Sequence, residues 1–316
     1  MIYVMPTVSV CIVTYNSAKD IQNCLQAVLK QSFPVERIVV IDNASTDGTA
    51  DQVKPFAEHV HFIANTINNG FAGGQNQAIR ETSSDYVLVL NPDVTLDPNY
   101  LQEIIGFMEQ KPEVGSATGR LVFASNIEVM DSAGLGMKRT RNAYDLAAGD
   151  QAADWSTKRA VFGVSGAAAV YRKAMIRDIE FDGEFFDERF FAYKEDVDVA
   201  WRAQKLGWTS YYIPEANAVH HRGWKKGSRS SVPLFVRQHS YQNRFFTLIK
   251  NEPIGWHSLL IGPLILATEA VKLGYIILRE PGLLRCWSTI FKSLPNMLQK
   301  RKWIQEKAVH KRHTKH

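Results

Sequence analysis

Hydrophobic positions near the start of the chain come in short, almost unbroken runs separated by amphipathic stretches. Val8–Thr14, Arg37–Asp42 and Tyr86–Leu90 are rich in β-branched and aliphatic residues and too short for buried helices, so each predicts a fully buried strand. Between them, Ala18–Gln31 places Ile21, Leu25, Val28 and Leu29 at helical spacing; Thr46–Phe56 and Gly74–Glu81 predict two more helices, and His61–Ala64 a short strand. Strands alternating with helices predict parallel βαβ units in an open, doubly wound α/β sheet. Ligands of such sheets bind beyond the carboxyl ends of the strands. Much later, Val197–Gln204 reads as a helix led by the acid pair Glu195-Asp196.

Three polar clusters follow directly on predicted strands: Thr14-Tyr15-Asn16, Asp42-Asn43-Ala44-Ser45-Thr46-Asp47 and Asn91-Pro92-Asp93. Each alone is ordinary turn or helix-cap chemistry. Three in succession at one sheet edge point to a site.

The pattern changes after residue 250, which divides the chain into an α/β domain over 1–250 and a helical extension over 251–316. Ile254–Leu278 is strongly apolar, but Pro263, Glu269 and Lys272 interrupt it, and its longest clean run, Leu259–Ala267, falls well short of the roughly 20 residues that cross a bilayer. From Leu264 onward, Thr268, Lys272, Tyr275 and Arg279 share one helical face while Ala267, Val271, Leu273, Ile277 and Leu278 lie mostly opposite. Either packing on the α/β domain or lying in a membrane interface would suit this helix. Arg285, Trp287, Lys292 and Trp303, which follow it, favour an anionic membrane surface.

Charge supports that division. The net charge is +5, yet Lys300–His316 alone holds seven Lys/Arg and one Glu, so the remainder is close to neutral. A near-neutral body with a basic tail is not the pattern of a nucleic-acid binder. Three cysteines without CxxC spacing argue against a disulfide framework and fit a reducing cytosol, and the first residues have no basic region of the kind a signal peptide needs. A cytoplasmic protein, peripheral on the inner face of the membrane, is expected.

Taken together in order, several segments resemble the family 2 glycosyltransferases of GT-A fold. They are Val13-Thr14-Tyr15-Asn16, then Ile41-Asp42-Asn43-Ala44-Ser45-Thr46-Asp47-Gly48-Thr49, and Asn68-Asn69-Gly70-Phe71-Ala72-Gly73-Gly74-Gln75-Asn76, the last similar to the rhamnosyltransferase-like branch. Next come Ser84-Asp85 through Asn91-Pro92-Asp93, the counterpart of a metal-binding DxD segment, then Gly166-Ala167-Ala168, Phe186-Asp187-Glu188, Phe191-Ala192-Tyr193-Lys194-Glu195-Asp196-Val197-Asp198 and His220.

The resemblance implies an inverting transferase that moves a sugar, rhamnose first among the candidates, from a dTDP- or UDP-sugar to a hydroxyl of a lipid-linked saccharide. It implies nucleotide-sugar contacts at Thr14, Tyr15, Asn16, Asp42, Asn43, Gly70, Gly73, Asp85 and Asn91. Among these, Asp42 would accept the N3–H that thymine and uracil share. Asp93, with His220 or its neighbour His221, would hold Mg²⁺ or Mn²⁺. Asn91 stands where the motif ordinarily has its first Asp, which removes one charge from the metal site. Asp196 would be the general base and Glu195 its orienting partner or an acceptor contact; a carboxylate so placed can take the proton of an attacking hydroxyl. Gly223–Pro233, with Lys225, Lys226 and Arg229 among Gly and Ser, is expected to act as a lid. A nucleotidyltransferase would need a basic Gly-rich loop near the start, and none is present. A silent, membrane-bound sugar-nucleotide-binding protein is the other alternative, to be separated by activity.

Overall fold

The computed structural model describes residues 5–221, 232–253 and 255–313. In chain order the elements are β1 (Val8–Thr14), α1 (Ile21–Leu29), β2 (Arg37–Asp42), α2 (Thr49–Val53), β3 (Val60–Ala64), α3 (Gly70–Arg80), β4 (Tyr86–Leu90), β5 (Val94–Leu96) and α4 (Tyr100–Glu109). There follow β6 (Val114–Phe123), β7 (Asn126–Ser132), β8 (Leu135–Met137), β9 (Ala143–Asp145), β10 (Arg159–Val161), β11 (Ala168–Arg172) and α5 (Lys173–Ile179). The chain closes with α6 (Glu195–Lys205), β12 (Thr209–His220), α7 (Leu234–Asn251), α8 (Trp256–Arg279) and α9 (Cys286–His313).

The expected strands form the parallel half of a ten-stranded sheet, in the order β3-β2-β1-β4. Beyond β4 the sheet is mixed: β11 runs antiparallel to both β4 and β6, and β12 runs parallel to β6. Alternation along β1 explains why its sequence is apolar throughout. Val8, Val10 and Ile12 face one core with Leu25 of α1 and Ile104 of α4. Cys11 and Val13 face the other, with Ile79 of α3 and Val199 of α6. A strand buried on both faces has no polar side to show.

Two helix boundaries differ from expectation. The helix expected from Gly74 begins at Gly70, whose N–H is accepted by Asn68 Oδ1 at 2.8 Å. Pro55 turns the end of the second helix into a 3₁₀ turn over Lys54–Phe56.

The C-terminal helices depart further from expectation. Pro263 does not interrupt α8, which runs 24 residues; its Leu259–Arg279 portion is long and apolar enough, by length and composition, to cross a membrane. Its polar side faces inward: Glu269 accepts from Arg244 Nε at 2.6 Å, and Lys272 donates to Asn142 Oδ1 at 2.9 Å. Its apolar side faces outward, with Leu260 80%, Val271 75% and Leu278 80% exposed. This inverts the usual packing of a surface helix.

Among the described residues, most of the tail's basic side chains pair with the α/β body, Lys302 being exposed. Lys300 pairs with Glu184 at 2.8 Å and Asp187 at 2.9 Å; Arg301 donates to the carbonyls of Ile249 and Glu252; Lys307 and Lys311 both pair with Asp178. Ile304 and Ala308 join the same core as Tyr171 and Phe185. Basic charge expected to face a membrane therefore binds α9 to the α/β body instead. The sequence Gly223–Pro233, expected to form a lid, lies outside the described residues except for Val232 and Pro233.

Candidate active site

The parallel strands end together at one edge. β1 and β2 close in register at Thr14 and Asp42. The buried Asp42 carboxylate accepts the hydroxyls of Thr14 at 2.7 Å and Ser45 at 2.6 Å, and the Ser45 N–H at 3.0 Å. A carboxylate has about four acceptor positions, so one remains for an incoming N–H. Asn16, at φ 53°, accepts the Thr46 N–H at 2.9 Å and gives its own N–H to Ser45 Oγ at 2.8 Å, closing the two loops on each other. Tyr15 stands 55% exposed beside them.

Asn43 is buried and donates to the Gly70 carbonyl at 2.8 Å, fixing the start of α3 against β2. Gly70 has φ +74°, and a Cβ there would lie 2.4 Å from the Phe191 carbonyl oxygen. No other residue fits that position. A Cβ on Gly73 would meet Asn69 Cβ at 3.1 Å. The close approach these glycines permit is between segments of the chain itself.

Asp85 does not belong to this edge. It precedes β4, whose amino end it marks, and its carboxylate accepts the N–H of Thr7 at 2.9 Å and the Thr7 hydroxyl at 3.2 Å. The length of β4, roughly 3.3 Å per residue, separates it from Asn91 and the ligand edge. Its role is to tie β1 and β4 together, and the expected donor contact is withdrawn.

The mixed half of the sheet brings the later motifs to the same edge. β12 ends with His220 paired in register to Val94, the first residue of β5, so His220 meets Asp93. His220 Nε2 lies 3.2 Å from Asp93 Oδ1, while His220 Nδ1 lies 2.6 Å from Asp131 Oδ2. Burial would lower the His220 pKa, but its hydrogen bonds to Asp131 and Asp93, and their charges, outweigh burial and hold it up at about 9. His221 turns away toward Thr95 Oγ1, at 3.4 Å. Between the two histidines, the geometry selects His220 as the partner of Asp93.

Among the described residues, no group of three or more His, Cys, Asp or Glu is placed to hold a metal. Asp93 and His220 supply two donor atoms whose separation suits neighbouring ligands of one small ion. Mg²⁺-type sites commonly use one or two carboxylates and complete the shell with substrate phosphates and water. The pair fits an ion that arrives with an anionic substrate. Asp131 adds the carboxylate that orients such a histidine from behind.

Across the cleft, α6 begins with the acid pair. Asp196 accepts the Val197 N–H at 2.8 Å and the Gly166 N–H at 3.3 Å, whereas Glu195 Oε2 is buried without a hydrogen-bond partner among the described residues. Burial raises both carboxyls, and the neighbouring Asp196 charge raises Glu195 further. Backbone N–H groups favour the charged form. Asp196 is thus the member fitted to carry the negative charge, and Glu195 the member fitted to hold a shared proton.

The segment leading into α6 is held under strain. Phe191, Tyr193 and Lys194 have φ of 61°, 72° and 70°, and Asn243 of α7 donates to the carbonyls of Phe190, Ala192 and Tyr193 at 2.8, 2.9 and 2.8 Å. Below α6, a buried ionic network binds it to α7 and α9. Asp198 accepts from Arg202, Lys250 and Asn251, while Asp187 pairs with Lys250 and Lys300. Burial opposes ionisation of Asp187, but the two ammonium groups outweigh it and hold its carboxyl well below the usual range.

A cleft of about 600 Å³ gathers Asn91, Asp93, His220, Glu195 and Asp196 from strands and helix far apart in sequence. It also includes Asp145 and Lys194. Sequence reasoning missed Asp131, Asp145, Lys194 and Asn243. Lys194 lies within the matched run Phe191–Asp198, though no role was read for it, and the other three sit in no recognised motif.

Comparison with known proteins agrees with this geometry. The family model described as glycosyl transferase family 2 matches residues 9–179. The N-acetylglucosaminyl-diphospho-decaprenol L-rhamnosyltransferase of Mycobacterium tuberculosis is 28% identical over 249 residues, 71% of this chain and 78% of its own. The poly-beta-1,6-N-acetyl-D-glucosamine synthase of Staphylococcus epidermidis is 24% identical over 66% of this chain, which spans about half (48%) of that longer protein. A mannosyltransferase from Pyrobaculum calidifontis, in complex with GDP-Man and Mn²⁺, superposes with a TM-score of 0.57 at 19% identity, over 99% of this chain and 89% of its own. S. aureus TarS 1–349 in complex with UDP gives 0.58 at 16%, over 96% and 88%. With more than half its length matched by the family model and a GT-A architecture around the cleft, the chain belongs to glycosyl transferase family 2.

Proposed function

We propose that this glycosyltransferase moves one sugar from a dTDP- or UDP-sugar to a hydroxyl of a lipid-linked saccharide, with inversion and with Mg²⁺ or Mn²⁺ bound. L-Rhamnose from dTDP-rhamnose is the first candidate, supported by the name of the mycobacterial relative. The observation that carries the reading is the opposition of Asp93 and His220 to Glu195 and Asp196 across one cleft.

The remaining acceptor position on Asp42 takes the pyrimidine N3–H, with Thr14 and Asn16 fixing that loop. Tyr15, Asn43, Gly70, Gly73 and Asn91 complete the donor side as wall or support. Asp93 and His220 would hold the cation, which would supply positive charge against the departing diphosphate. Asp196 takes the proton of the acceptor hydroxyl, and a single displacement with one base inverts the anomeric centre. Glu195, protonated, donates toward the acceptor or toward Asp196.

The enzyme works on the cytoplasmic membrane surface, held there by the outward apolar face of α8. Because the tail's basic residues are largely paired internally, salt should have little effect on that attachment. Flotation with liposomes tests this; full release by moderate salt would place the attachment in charge rather than in α8.

Activity tests the chemistry. Purified protein is assayed against a panel of nucleotide sugars with and without Mg²⁺ or Mn²⁺. Asp196→Asn should bind donor as well as wild type yet lose transfer by about 10²–10⁴-fold. Transfer within a few-fold of wild type would remove Asp196 from the role of base.

A further inference from the structure

Beside the catalytic cleft lies a second cavity of about 560 Å³, between α7 and α8. The two share Lys194, Val236 and Ser240 as a common wall. Four cationic side chains line the second cavity, Lys194, Arg237, Arg244 and Lys272, and no carboxylate does. Glu280 binds Arg237, and Glu269 binds Arg244 and Lys272 from behind. Asp196, Glu195 and Asp145 act on Lys194 from the catalytic side, but among the described residues the wall of this cavity itself presents cations and no carboxylate. Lys194, whose ammonium makes no hydrogen bond or ion pair among the described residues, stands at the mouth between the two cavities. Burial lowers its pKa, opposed by the Asp196 charge. On its far side the cavity reaches Val271 and Tyr275, which open onto the exposed apolar face of α8.

Three environments therefore follow one another: the carboxylates that would meet a sugar hydroxyl, a cationic pocket, and an outward apolar surface. The geometry points to this pocket as the seat of the diphosphate that joins an acceptor saccharide to its isoprenoid chain, with Lys194 and Lys272 as its principal contacts. The assignment rests on the lipid-linked acceptor proposed above. The donor's own diphosphate is the competing occupant, but Asp93 and His220, where its cation would sit, do not line this pocket.

The test uses the full chain and geranyl diphosphate, a short soluble isoprenyl diphosphate, with geraniol and inorganic diphosphate as comparison probes, measured by calorimetry. Geranyl diphosphate should bind with saturating nucleoside diphosphate present, and more tightly than either comparison probe. Lys194→Gln and Lys272→Gln should each weaken it about tenfold, the loss of one charge-assisted contact. Lys272→Arg should retain binding, and melting curves should show each variant folded. Asp42→Ala should weaken nucleotide binding and leave geranyl diphosphate unaffected, so failure of the nucleotide site is read separately from failure of this pocket. Competition between geranyl diphosphate and nucleoside diphosphate would assign the pocket to the donor and overturn the proposal. So would equal affinity for geraniol, or affinity indifferent to both lysine substitutions.

Discussion

Replacing Asn243 with Ala should uncouple the acid pair from an otherwise intact fold. The side chain is fully buried, and its single amide nitrogen donates to three carbonyls, those of Phe190, Ala192 and Tyr193. An NH₂ group has two hydrogens, so one bond is shared and the set is worth roughly two hydrogen bonds, each about 1 kcal/mol net. Against it stand Phe191, Tyr193 and Lys194 at positive φ, a conformation costing a non-glycine residue about 1–2 kcal/mol. Summed over three residues, that strain is about 3–6 kcal/mol, more than the roughly 2 kcal/mol of restraint, so losing the amide should let the segment relax and shift the first turn of α6. Unfolding in urea should show a loss of roughly 2–3 kcal/mol. Initial rates at saturating donor and acceptor should fall about 100-fold, the usual cost of misplacing a catalytic group by an ångström. Donor KM should change less than kcat, because Thr14 and Asp42 are held on β1 and β2 and meet the segment only through Gly70, which packs on Phe191. Asn243→Asp, which keeps the volume but has no N–H to give, should behave like Ala. If both variants keep kcat within a few-fold of wild type, the strained segment does not position Glu195 and Asp196, and the reasoning fails.

Three further outcomes are expected. Asp131→Ala should reduce Mn²⁺ affinity, read by titration in the presence of nucleoside diphosphate, by about 10–100-fold while leaving nucleotide binding without metal unchanged. Lys250→Met leaves Asp187 and Asp198 buried with one fewer cation between them, and should cost about 3–5 kcal/mol in denaturant unfolding. Glu195 holds a proton in the folded chain up to about pH 8, where the unfolded chain has released it above its ordinary 4.5; folded protein therefore binds more protons across that interval, and stability falls as pH rises through it. Glu195→Gln removes this cost, so its melting temperature should exceed wild type at about pH 9 and match it at about pH 4.

Much of the parallel half was readable from residues alone. Val8–Thr14, Arg37–Asp42 and Tyr86–Leu90 are strands with the expected bounds, because burial on both faces leaves a local signature that neighbouring residues cannot disguise. The polar residues after them lie at one edge for the same reason: parallel strands of a doubly wound sheet all end on the same side. Asp85 already stood before the strand Tyr86–Leu90 in the sequence, and its donor contact was implied by the resemblance alone, whereas tertiary structure sets it against Thr7.

The amino-acid sequence by itself determined the βαβ half of this protein, the order of its motifs and the acid pair at the start of α6. Tertiary structure alone decided the rest. The antiparallel insertion of β11, the register that sets His220 beside Val94, and the approach of Asp131 to His220 across 89 residues of chain all depend on which strands pair. Helical periodicity separated the two faces of α8, but Arg244 and Asn142, distant in sequence, determined that the charged face turns inward. Likewise the basic residues of α9 looked free for a membrane until Asp178, Glu184 and Asp187 were brought against them. A side chain's type is local, while its partner is set by contacts between segments far apart, which no short window of sequence contains.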